Sequence, residues 1–113
     1  MSIYIVDESR KIGSVKSFGS LDGKSLPEFS ADVKSLIQQG IVNVIMDFQE
    51  LQFISSAGIG HILACREDLL EVQGKLMIVC NNARLISGFK HARLDQLLLI
   101  VPSIDEAMNN LGL

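Results

Sequence analysis

The sequence predicts an α/β protein in which helices pack on a β-sheet. Short β-branched apolar runs alternate with longer stretches whose apolar residues recur at helical spacing, in the order β-β-α-β-α-β-α-β-α. Composition agrees: 113 residues are 48% hydrophobic and 20% charged, with net charge −3, which suits one domain over residues 1–113 with a single core and is too apolar for disorder.

The elements follow in order. Ile3-Tyr4-Ile5-Val6 and Ile12 to Phe18 flank the polar stretch Asp7 to Lys11, as two strands of a hairpin would. Ser25-Leu26-Pro27-Glu28 then offers an N-cap serine, a proline in the first turn and a glutamate placed for a capping box. Leu26, Phe29, Val33, Leu36 and Ile37 line one face of the helix, and Gly40 stops it. Ile41 to Met46 is nearly continuously apolar, the pattern of a central strand covered on both faces, and it ends at Asp47. Ile59, Ile62, Leu63, Leu69 and Leu70 mark a second helix over roughly 57 to 73, with Gly74 as its terminator. Lys75 to Cys80 is another buried-type strand, Leu85, Ile86 and Phe89 indicate a short helix, and Leu97 to Val101 is a last strand closed by Pro102. Ser103-Ile104-Asp105-Glu106 repeats the capping-box pattern before a terminal helix with Ile104, Ala107, Met108 and Leu111 on one face.

Several functions are disfavoured. Ten basic residues against 13 acidic ones, without a cluster, provide no surface that would release counterions from a nucleic acid, and no basic helix for a membrane surface. The first residues show no export signal, so the expected location is cytoplasmic. Leu51 to Cys65 is too short and too polar for a span of about 20 apolar residues, so no membrane insertion is expected. Cys65 and Cys80 lack metal-ligand spacing and read as reduced core thiols. No metal or cofactor is expected.

In α/β sheets, sites collect beyond the carboxyl ends of strands. The unusual segment there is Phe53-Ile54-Ser55-Ser56-Ala57-Gly58-Ile59-Gly60, with two hydroxyls before a helix whose first turns contain two glycines, each about 1 kcal/mol worse than alanine. Such a start lets another chain or a phosphate approach the positive end of the helix. Two readings stand: the serines are only N-caps and the glycines only allow close packing, or one serine is a phosphoacceptor. Catalysis is not expected. His61 lies five residues after Ser56, about 140° around the helix, His91 falls in a loop, and there is no G-x-S-x-G elbow and no lysine-bearing nucleotide loop. Two readings stand for Asp22 and Asp47 as well: they converge with Ser56 at one end of the sheet as part of a docking surface, or Asp22 is an ordinary turn residue and Asp47 is structural.

The segment Leu51 to Gly60 resembles the signature of the STAS domain, the sulfate-transporter and anti-sigma-factor-antagonist family, in its small stand-alone bacterial form. Gly19-Ser20-Leu21-Asp22 looks like that family's G-x-L-D turn, Val42 to Asp47 like its apolar strand ending in aspartate, and Gly74 to Val79 like its glycine-led strand. The resemblance covers essentially the whole chain and implies a mixed sheet of four to five strands with about four helices, mainly on one face. The family's phosphosite reads Asp-Ser-(Ser/Thr/Ala)-Gly-(Leu/Ile), so the serine it implies is Ser56. Ser55 stands where many members carry the aspartate and is the second choice as acceptor.

The resemblance further implies partner switching. The unmodified chain would sequester a serine kinase of the histidine-kinase-like ATPase fold, often an anti-sigma factor. Phosphorylation at Ser56 would release it, and a PP2C-type phosphatase would reset the switch. The expected docking residues are Asp22, Asp47, Ser55, Ala57, Gly58, Ile59, Gly60 and His61. The alternative is a STAS adaptor without a sigma factor, such as an accessory subunit of a membrane transporter or of a larger signalling complex.

Overall fold

Five strands lie in the sheet in the order in which the chain makes them, β1-β2-β3-β4-β5, in a computed structural model that describes residues 2–111. The elements are β1 (Ser2–Asp7), β2 (Ile12–Leu21), α1 (Leu26–Gln38), β3 (Asn43–Ile54), α2 (Ser56–Glu71), β4 (Lys75–Val79), α3 (Ala83–His91), a 3-10 turn (Leu94–Gln96), β5 (Leu99–Val101) and α4 (Ile104–Asn110). Strands β1 and β2 form an antiparallel hairpin, and β2 to β5 are mutually parallel.

This order dictates where the helices go. Each parallel crossover steps the same way across the sheet, and right-handed connections then put α1, α2 and α3 on one face. Alternation along the strands builds the cores. Val44, Met46 and Phe48 of β3 and Leu76 and Ile78 of β4 pack with Phe29, Val33 and Leu36 of α1, Ile62 and Leu69 of α2, and Phe89 of α3. Ile45, Met77 and Val79 turn to the opposite side, where Val101 of β5 and Ala107 of α4 complete a smaller core. The architecture is a mixed five-stranded sheet with four helices, three of them on one face.

Strand β3 departs from expectation. Instead of ending at Asp47 it continues to Ile54, paired with β2 throughout. Its register steps from Lys16↔Asp47 to Phe18↔Glu50, and from Gly19↔Leu51 to Ser20↔Phe53, so β3 twice carries one extra residue. These bulges break the two-residue alternation that would have announced the strand. Asp47 sits at the first of them, where its Oδ1 accepts the Gln49 main-chain N–H at 3.1 Å and the Gln49 side-chain amide at 3.0 Å. Strand β2 likewise runs through Gly19, which holds a φ of +68°, and the turn begins only after Leu21.

Helix starts and stops show similar differences. Ser25 occupies the N-cap position of α1 but its hydroxyl does not cap. It donates to the Ser20 carbonyl at 2.7 Å and accepts the Asp22 N–H at 3.0 Å, tying the turn to the end of β2 in place of a capping box. At the last helix Ser103 does cap, accepting the Glu106 N–H at 3.2 Å. Strand β5 starts at Leu99, not Leu97, because the N–H groups of Leu97 and Leu98 both bond to the Leu94 carbonyl and keep the chain coiled.

Gly74 ends α2 for a reason other than backbone freedom. The left-handed residue is Gln73, with φ +60°, whereas a Cβ at Gly74 would lie on the carbonyl of Val42. The chain approaches so closely because Gly74 N–H bonds to Leu69 O and Lys75 N–H bonds to Val42 O. Gly74→Ala should therefore lower stability by about 2–3 kcal/mol, as overpacking against an immovable backbone does. Thermal unfolding checks this, and a variant as stable as wild type would refute the close-approach account.

Candidate functional site

The site is built where the two central strands outrun their neighbours. Strand β1 pairs with β2 no further than Lys16, and β4 pairs with β3 no further than Asp47. Beyond those points β2 and β3 continue alone as a two-stranded ribbon ending at the pair Leu21↔Ile54. Ser55 N–H donates to the Leu21 carbonyl at 2.9 Å, which holds the β2–α1 turn beside the start of α2. Asp22 and the segment Ser55 to Gly60 are brought together in this way. The carboxylate of Asp22 is turned into its own loop, with Oδ1 accepting the Lys24 N–H at 3.0 Å.

The adjacent serines are separated by their hydrogen bonds. Ser55 is the N-cap of α2, with extended backbone, and its Oγ accepts the Gly58 N–H at 3.1 Å. It is half-buried and occupied. Ser56 is the first residue of α2, is exposed, and its hydroxyl has no partner among the described residues. No acidic side chain stands in the first turn of α2, so the positive end of its dipole is open to an added anion. Ser55→Ala should cost about 1 kcal/mol, the worth of a lost N-cap, while leaving Ser56 exposed. Chemical denaturation measures this, and an unchanged midpoint would show the cap bond to be unimportant.

The glycines separate as well. Gly58 is buried, and a Cβ there would meet Ile54 Cγ1 at 2.7 Å and Leu21 O at 3.0 Å, so its role is to let α2 sit against the ribbon. Gly60 is exposed, and a Cβ there would meet nothing within 4 Å. The expected docking residues differ in exposure. Gly58 is withdrawn into the packing, and His61 is half-buried with its ring edge-on to Phe29, centroids 6.3 Å apart. Asp47 is 2% exposed and stands seven residues before Ile54, roughly 20 Å back along the strand. It is not brought to Ser56, because the strand it was expected to end continues past it. Ser56, Ala57 and Gly60 remain on the surface, with Ile59 half-buried and Asp22 beside them.

Phe53, which opens the segment leading to the serine pair, lies 54% exposed on the ribbon, and the partner strand carries Phe18, 50% exposed with Lys16 Nζ 5.6 Å from its ring centroid. An exposed aromatic in a strand leaves no periodic trace, so its exposure is not legible in the sequence.

Among the described residues no group of three or more His, Cys, Asp and Glu could hold a metal ion. Cys65 and Cys80 are free and buried, and burial pushes both thiols up, Cys65 to about 11. Among the described residues no helix is long and apolar enough to cross a membrane.

Known proteins share this fold. No curated protein matches the sequence. Among solved structures, a Thermotoga maritima protein described as a candidate anti-sigma factor antagonist overlays with a TM-score of 0.87 at 19% identity, covering 97% of this chain and 92% of its own. An anti-sigma factor antagonist from Mycobacterium paratuberculosis overlays at 0.82 with 19% identity, covering 97% and 94%. The Bacillus cell fate determinant SpoIIAA in its phosphorylated form overlays at 0.75 with 23% identity, covering 96% of each chain. Its unphosphorylated form gives the same TM-score, 0.75, at 22% identity, covering 99% and 98%. These likenesses establish the fold. The profile of the STAS domain matches residues 4–107, nearly the whole length, and the chain belongs to the STAS domain family.

Proposed function

We propose that this chain is the switched component of a partner-switching regulator, with Ser56 as its phosphoacceptor. The single observation that carries the reading is the division of labour at the start of α2: Ser55 is consumed as the cap, while Ser56 is exposed and unpartnered. In its unmodified state the chain binds a serine kinase or anti-sigma factor of the histidine-kinase-like ATPase fold through Ser56, Ala57, Ile59, Gly60 and the neighbouring Asp22. The kinase phosphorylates Ser56 and is released, and a PP2C-type phosphatase restores the hydroxyl. The chain itself is a binding module and catalyses nothing.

The physics suits a switch. A phosphate adds about −1.5 to −2 charges, and at a helix N-terminus these are stabilised by the dipole, so the fold tolerates them. SpoIIAA, a protein of the same fold, is described in both an unphosphorylated and a phosphorylated form. A desolvated interface without counter-charges does not tolerate them.

The test is incubation with ATP, magnesium and each serine kinase of that ATPase fold from the source organism, followed by tandem mass spectrometry. One phosphate on Ser56, absent from Ser56→Ala, is the expected result. A phosphate on Ser55, or no labelling by any such kinase, would overturn the assignment.

A further inference from the structure

Strand β4 stops pairing with β3 at Asp47↔Val79, yet β3 runs on to Ile54. The last part of β3 therefore has a neighbour, β2, on one side only. The pair Leu21↔Ile54 together with the bond from Ser55 N–H to Leu21 O means that Phe53 and Ser55 turn their main-chain groups to β2. By alternation the N–H and C=O of Ile54 face the open side.

Across that open edge stands α3. Between them lies a hollow of about 200 Å³, lined by Gln52, Phe53 and Ile54 of the strand, Ile59 of α2, and Arg84, Leu85 and Gly88 of α3. Arg84 is the one charged residue in this lining; it is exposed, and its guanidinium has no partner among the described residues. A Cβ at Gly88 would meet nothing within 4 Å.

We propose that this groove receives an extended segment of the partner kinase, which lies beside β3 as a third strand of the ribbon. It seats one apolar side chain between Phe53, Ile59 and Leu85 and pairs a carboxylate with Arg84. An open strand edge facing a helix is the geometry that binds extended peptides by main-chain pairing. The volume lies below the range of about 300–1,000 Å³ of small-molecule pockets and suits a single side chain. An unpaired cation on a chain of net charge −3 selects an acidic partner at this point. Ile54 and Ile59 bracket the serine pair in sequence, so the groove is continuous with the switch surface. The inference rests on the functional reading above, since it assigns the segment to the kinase.

The test is the dissociation constant of the kinase that labels Ser56, measured for wild type, Arg84→Glu, Gly88→Leu and Ser56→Asp. Arg84→Glu is expected to bind at least tenfold more weakly, with a flatter salt dependence. Gly88→Leu fills the hollow and should bind at least tenfold more weakly while melting no lower than wild type, because leucine replaces glycine in a helix with open space beside it. If both variants bind like wild type while Ser56→Asp does not, the groove is wrong and the switch stands. If wild type has no affinity for the kinase, both fall. A concentration-dependent dimer in sedimentation that Gly88→Leu abolishes would give the groove to a second copy and overturn its assignment to the kinase.

Discussion

Replacing Ser56 by aspartate should weaken the complex with the partner kinase by about 100-fold, or about 2.7 kcal/mol, and leave the melting temperature essentially unchanged. The two halves of this expectation come from different environments of the same atom. In the free chain the side chain of Ser56 is exposed at the first position of α2, with no hydrogen bond to lose. A carboxylate there gains about 0.3–1 kcal/mol from the helix dipole. In the proposed complex the same charge would be covered by a partner that receives a hydroxyl, and an unpaired desolvated charge costs several kcal/mol. Calorimetric titration and thermal unfolding read the two quantities. A large fall in melting temperature would mean that the serine serves the fold, and unchanged affinity would mean that the partner docks elsewhere.

Truncating Phe48 should have the largest effect on stability. Its ring is fully buried and sits in the middle of an aromatic row, 6.4 Å from Phe29 of α1 and 6.2 Å from Phe89 of α3 between centroids. It ties two helices to the central strand from within the first bulge. Phe48→Ala removes both ring pairs and leaves a cavity that a sheet and two helices cannot close, at a cost of about 3–5 kcal/mol. For a chain of this size that is a fall of about 10–20 °C in melting temperature. Differential scanning calorimetry measures it. A loss below about 1 kcal/mol would show that the helices close over the gap, and that the row does not set their positions.

Much of this architecture is readable from the residues, and the exceptions have definite causes. Helices α1 and α2 declare themselves because Phe29, Val33 and Leu36, and Ile62 and Leu69, keep the helical period and are all buried. Strand β4 is visible as an unbroken apolar run. The extension of β3 is hidden because exposed Gln49, Glu50 and Gln52 interleave with buried Phe48 and Leu51, and the two bulges shift the period where it would otherwise be counted. The same two bulges hide from the sequence both the structural place of Asp47 and the ribbon with its open edge.

At the site, the serine pair and the glycines stand out from the sequence, but their roles do not. Both hydroxyls can cap a helix, and only the bond from Gly58 N–H to Ser55 decides which one does. Two glycines in one helical turn look alike until one is found pressed against Ile54 and the other facing open space. His61 could be placed around the helix axis by counting, but its contact with Phe29 depends on how α1 and α2 pack, which no local pattern reports.

The most direct measurement compares the affinity of the kinase for the unmodified chain and for the chain carrying a single phosphate on Ser56, in one buffer, by calorimetric titration. Tight binding of the first is expected, with binding weaker by about 100-fold or more for the second, and a melting temperature for the phosphorylated chain no lower than that of the unmodified one. Equal affinities, or a phosphorylated chain that has lost its cooperative unfolding, would contradict this expectation.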